Sequence, residues 1–77
     1  MNKLKKMRES KGLSQAQLAK MSGIHYRTLQ YYEQGRLDIG HCKIEKLISV
    51  ALALDCDIED IVDNKNVVEL VRKYQEG

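Results

Sequence analysis

The side chains best suited to specific chemistry lie close together, at Tyr26, Arg27, Gln30 and Tyr31. At 100° per residue, Arg27, Gln30, Tyr31 and Gln34 point away from Ile24, Leu29 and Tyr32, and Tyr26 and Thr28 lie on the flanks. Long hydrogen-bonding side chains near a helix start suit the edges of base pairs. Arginine pairs with guanine N7 and O6, glutamine pairs with adenine, and a tyrosine hydroxyl reaches a base or a phosphate. Lys11, Lys20, Thr28 and Arg36 fit contacts to a phosphate backbone, which position a protein without reading sequence. Other chemistries lack their residues. His25, His41, Cys42 and Cys56 are the only soft ligands, and they lack the paired spacing of a zinc site. There is no glycine-rich phosphate loop, no nucleophile elbow and no suitably placed carboxylate pair. No enzyme activity, metal, cofactor or small-molecule ligand is expected.

The elements that hold these side chains can be read from punctuation. Leu4, Met7 and Arg8 share a face of a short helix over about residues 2–11, closed by Gly12. Ser14 and Gln17 then form a capping box, and Leu13 and Leu18 a hydrophobic staple, so a second helix starts after Ser14 and stops at Ser22-Gly23. A third runs from Tyr26 to Gln34, with His25 either a cap and turn residue or a base contact, and Gly35 closes it. Two short helices joined by a tight glycine turn over about residues 14–34 make a helix-turn-helix. Asp38 can cap one turn in the connector. A buried helix over 43–54 follows, with Ile44, Leu47, Ile48, Ala51 and Leu54 expected inward. Asp57 is expected to cap a further helix, with Asp60 at its third position and Ile58, Ile61 and Val62 on its apolar face. Asn66 is expected to cap a terminal helix, with Glu69 at N3 and the stripe Val67, Leu70, Val71 and Tyr74. Six helices and no strand are predicted. The organisation is one domain over 1–63 and an amphipathic helix over 64–77.

Seventy-seven residues leave room for one core. The chain has no Pro, Trp or Phe, which favours helices over turn-rich sheet. Its longest apolar run, Leu47 to Leu54, is shorter than the ~20 residues a bilayer span needs. The basic start lacks the apolar core of a signal peptide, so a cytoplasmic protein is expected. The net charge of +2 conceals a division. Residues 1–37 carry eight basic and two acidic side chains, and residues 38–77 carry five basic and nine acidic ones. A basic half of this kind suits a polyanionic partner.

The segments Leu13-Ser14-Gln15-Ala16-Gln17-Leu18-Ala19, Ser22-Gly23-Ile24 and Glu33-Gln34-Gly35 resemble those of the Cro and phage-repressor family, also called xenobiotic-response-element-like. Arg8 and the stretch from Leu54 to Ile61 match in order and spacing, so the resemblance covers about Leu4 to Val62. It implies an all-α fold, a compact five-helix lambda-repressor-like helix-turn-helix domain, here with a short C-terminal helix added. It also implies sequence-specific binding of double-stranded DNA by a transcriptional regulator, a repressor, with the third helix in the major groove. Gln15 matches the family's phosphate-clamping glutamine. Arg8 and Glu33 match a structural ion pair tying the first helix to the third.

Family members bind pseudo-palindromic operators in pairs. The stripe Val67, Leu70, Val71 and Tyr74 is therefore expected to take part in a homodimer. The alternative is a protein-interaction module on the same fold, an antitoxin or anti-repressor partner, with the acidic half as its working surface.

Overall fold

The computed structural model describes residues 2–76, and among them every regular element is helical. They are α1 (Lys3–Ser10), α2 (Gln15–Ser22), α3 (Tyr26–Glu33), α4 (Ile44–Leu54) and α5 (Lys65–Glu76), with single 3-10 turns at Ile39–His41 and Ile58–Asp60.

Local chemistry sets the first three helices. Asn2 caps α1, its side chain accepting from the amide of Lys5, and its Nδ2 donates to the carbonyl of Tyr32 at 2.6 Å. Gly12 (φ 71°) closes α1, with Leu13 N–H on the carbonyl of Arg8 and Gly12 N–H on that of Glu9. This is the paired closure of a Schellman motif. The same closure ends α3 at Gly35 (φ 76°), where the amides of Arg36 and Gly35 reach the carbonyls of Tyr31 and Tyr32. Between them, Ser14 accepts from the amide of Gln17 while Gln17 accepts from that of Ser14, which forms the capping box. Gly23 ends α2 at φ 74°, and His25 accepts from the amide of Arg27 to start α3.

The core is aliphatic. Leu4, Leu18, Leu29, Val50, Leu54, Ile61 and Val62 are wholly enclosed, with Ile24, Ile39 and Leu47 around them. Helix α2 packs against both α3 and α4. Lys46 on α4 donates from Nζ to the carbonyl of Gly23 at 2.9 Å, which ties α4 to the turn of the helix-turn-helix.

The C-terminal half departs from the sequence expectation in three places. Ile44 and Ile48 are exposed (60% and 44%), and Val50 is buried with Leu47, Ala51 and Leu54. The face actually buried has the same helical spacing as the one expected, and α4 is apolar nearly all round, so periodicity could not choose between them. The segment after Asp57 makes only a single 3-10 turn, with Asp60 accepting from the amide of Asp57 at 2.9 Å. Helix α5 starts two residues earlier than expected. Its cap is Asn64, whose Oδ1 accepts from the amides of Asn66 and Val67.

Asn64 reaches α5 through a second anchor. Its Nδ2 donates to Asp38 at 3.0 Å, and Asp38 also accepts from the amide of Gly40. These two bonds, the one from Asn64 first, hold the Asp38 carboxyl below its usual range. At Gly40 the chain passes so close to α5 that a β-carbon would lie 3.2 Å from both Val62 and Val67.

Losing the capping box should be measurable. Ser14→Ala should cost about 1 kcal/mol, lowering the melting midpoint by about 4–8 °C for a domain of this size. Thermal unfolding followed by circular dichroism checks this.

Candidate nucleic-acid interface

The site is built on an internal charge pair. Arg8 and Glu33 are 9% and 7% exposed, so almost no water is available to either charge. Arg8 donates from Nε to Glu33 Oε2 at 2.7 Å and from Nη2 to Oε1 at 3.0 Å, a two-pronged pairing that matches the planes of the two groups. Its remaining arm, Nη1, donates to the carbonyl of Leu13 at 2.8 Å. The bond to Glu33 raises the arginine pKa against the opposing effect of burial. Glu33 is the last residue of α3, where the helix dipole disfavours an anion, so the arginine also offsets that cost.

Glu33 accepts a third bond at Oε1, from Gln15 Nε2 at 3.1 Å. The Oε1 of Gln15 in turn receives Tyr26 Oη and Gln30 Nε2, each at 3.4 Å. The first residue of α2 is thus linked to both ends of α3. This linkage was not anticipated from the sequence, because nothing in the spacing of residues 15, 26, 30 and 33 signals a shared site. It requires the angle between α2 and α3.

The other candidates occupy several places around this network. Arg27 is exposed, and Tyr26 is 45% exposed. Gln30 and Thr28 are half-buried, as is Tyr31, although Gln30 and Tyr31 were expected to face fully outward. The Arg36 guanidinium lies 5.0 Å from the centroid of the Tyr31 ring, a cation–π arrangement that partly covers Tyr31. Lys11 and Lys20 are exposed. Tyr32 is half-buried against the core, and burial pushes its hydroxyl pKa up. His25 acts as the cap of α3.

The candidates on α5 are divided. Val67 and Val71 are half-buried, whereas Leu70 and Tyr74 are 66% and 87% exposed. Together with Ile44 and Ile48 they line an open apolar groove between α4 and α5. Cys42 and Cys56 are free and half-buried, and burial raises both thiol pKa values. Among the described residues no His, Cys, Asp and Glu group is arranged to hold a metal ion, and no helix is long and apolar enough to cross a membrane.

The charge pair yields a prediction. Arg8→Met alone leaves Glu33 buried and unpaired, and should cost about 3 kcal/mol or more. Arg8→Met with Glu33→Gln should cost less than that single change. Chemical denaturation of the two single variants and the double variant measures the coupling, and a coupling near zero would contradict the pairing.

No curated protein and no solved structure matched the chain. A family model described as Helix-turn-helix matches residues 4–61, which takes in everything from Leu4 on α1 to Ile61 beyond the second 3-10 turn. With α2, the turn at Gly23 and α3 arranged as described, the chain belongs to the helix-turn-helix family of Cro-like and xenobiotic-response-element-like DNA-binding regulators.

Proposed function

We propose that this DNA-binding regulator is a sequence-specific repressor that inserts α3 into the major groove of double-stranded DNA. The observation that carries the reading is the outer face of α3. Arg27 stands exposed in its first turn, with Tyr26 beside it and Gln30 and Tyr31 one turn on. A helix entering the groove by its N-terminal end brings those four side chains to base edges, with Arg27 suited to guanine. Gln15, Lys11, Lys20, Thr28 and Arg36 hold the phosphate backbone in this reading. Gln15 spends one amide hydrogen on Glu33 and keeps the other for a phosphate oxygen. Repression then needs only occupancy of the operator, and bound protein excludes other proteins from the same DNA.

In this reading residues 1–63 form the DNA-binding domain, and 64–77 serve assembly. One eight-residue α3 supplies few base contacts, so tight binding calls for two copies on a pseudo-palindromic site, their α3 helices about 34 Å apart. The exposed Leu70 and Tyr74 on α5 favour that helix as part of the homodimer surface.

DNA-binding and sedimentation measurements test this. Arg27→Ala should weaken the preferred duplex by about 1–3 kcal/mol and relax the choice of one base pair. Lys20→Ala should weaken all duplexes alike and lower the salt dependence by about one phosphate contact. If the affinity of the unmodified protein for DNA does not fall with salt, the interaction-module reading takes its place. Leu70→Glu should give a folded monomer with weakened operator binding, read by sedimentation at several concentrations. A variant that stays dimeric moves the interface off α5.

A further inference from the structure

The hydrogen bonds around Gln15 have a direction, and that direction reaches the surface. A carboxylate can only accept. Glu33 Oε1 already takes Arg8 Nη2, and its contact with Gln15 therefore requires the amide nitrogen of Gln15 to face it. The side chain of Glu33 is 2% exposed, so no water can stand in if the amide turns over. A flipped Gln15 would set two acceptors against each other in a nearly dry site, an arrangement more costly than a missing surface hydrogen bond. The carbonyl Oε1 of Gln15 is thereby aimed at α3. It too can only accept, so Tyr26 Oη and Gln30 Nε2 must both donate to it.

We infer that Glu33, acting through Gln15, makes Tyr26 a hydrogen-bond acceptor towards DNA, so that Tyr26 selects a base carrying an exocyclic amino group in the major groove, adenine or cytosine. This rests on the reading that α3 enters that groove. A tyrosine hydroxyl has one proton, and here it is directed at Gln15 Oε1, 3.4 Å away. Only lone pairs remain for a partner. Phosphate oxygens, guanine N7 and O6, and thymine O4 are acceptors and leave such a hydroxyl unpaired, whereas adenine N6 and cytosine N4 donate to it. Gln30 keeps one amide hydrogen and its carbonyl, so its own pairing with adenine is unimpaired. Glu33 is a positioning residue here. It touches no DNA, and its effect appears as a base preference.

The experiment is selection of bound duplexes from a random pool, followed by affinity measurements on single-base variants at one salt concentration. The unmodified protein should select adenine or cytosine at one position where Tyr26→Phe has no preference, with an affinity loss of about tenfold for the variant on the selected duplex. Replacing that base by an analogue without its amino group should weaken the unmodified protein by the same factor and leave Tyr26→Phe unaffected. Gln15→Met, which leaves the Arg8–Glu33 pair in place, frees the hydroxyl proton and should admit guanine or thymine there. Arg8→Met with Glu33→Gln should do the same, because an amide facing Gln15 no longer dictates its orientation; melting verifies that both variants are folded. Overturning results are a guanine or thymine preference that Tyr26→Phe removes, a preference pattern that Tyr26→Phe leaves unchanged, or a Gln15→Met variant that chooses as the unmodified protein does. In those cases DNA reading by α3 stands and the directional link falls. If no duplex is enriched at all, both fall.

Discussion

Two opposite charges facing each other with almost no water around them hold the N-terminal half together. Either charge alone would be costly in that position, and Glu33 has the further disadvantage of lying at the negative end of its own helix. Satisfying them takes contributions from four segments: Arg8 from α1, the carbonyl of Leu13 from the loop, Gln15 from α2 and Glu33 from α3. None of these segments can move without breaking a charge-assisted bond. Helix α1 therefore does more than cover the apolar side of the helix-turn-helix. Through Arg8 it also holds the C-terminal end of α3 in place.

The first half of the fold was legible because its instructions are local. Gly12, Gly23 and Gly35 take left-handed backbone, and Ser14 with Gln17 closes the start of α2 within four residues. The second half is set by packing. On α4 two overlapping apolar stripes were available, and the fit against α2 selected the one through Val50. Two asparagines could have capped α5. Asn64 was chosen because Asp38, distant in sequence, holds its amide nitrogen and so turns its oxygen to the helix. The Ile58–Asp60 segment has a helix-start signal but no more than a single turn follows. In the site, the exposed Arg27 and the cap at His25 follow from position along one helix. The Gln15 network does not, since its four members come together only when two helices cross.

The two ends of the molecule differ in how completely they are finished. Around Glu33 the buried charges are fully paired, and among the described residues no buried side-chain polar atom lacks a partner. Between α4 and α5 the apolar surface is only half covered, for Val68 is buried while Leu70 and Tyr74 stand in solvent. A helix held along one edge in this way depends on few contacts. Besides its apolar contacts it is held by its cap at Asn64 and by the exposed pair of Arg72 and Glu59 at 3.0 Å.

The bare backbone at Gly40 has a consequence for how such a protein can change over time. A single methyl group there would press on Asp38 Oδ1, Val62 and Val67 together, and these side chains would have to give way by a few tenths of an ångström. Val67 belongs to α5, and Val62 lies just ahead of it. Gly40 shares no hydrogen bond with Arg8, Gln15 or Glu33. Variation at Gly40 would thus adjust the seating of the terminal helix while the α2–α3 unit keeps its geometry. The seating of α5 and the geometry of the α2–α3 unit become separable traits, open to selection one at a time within a chain of fewer than eighty residues.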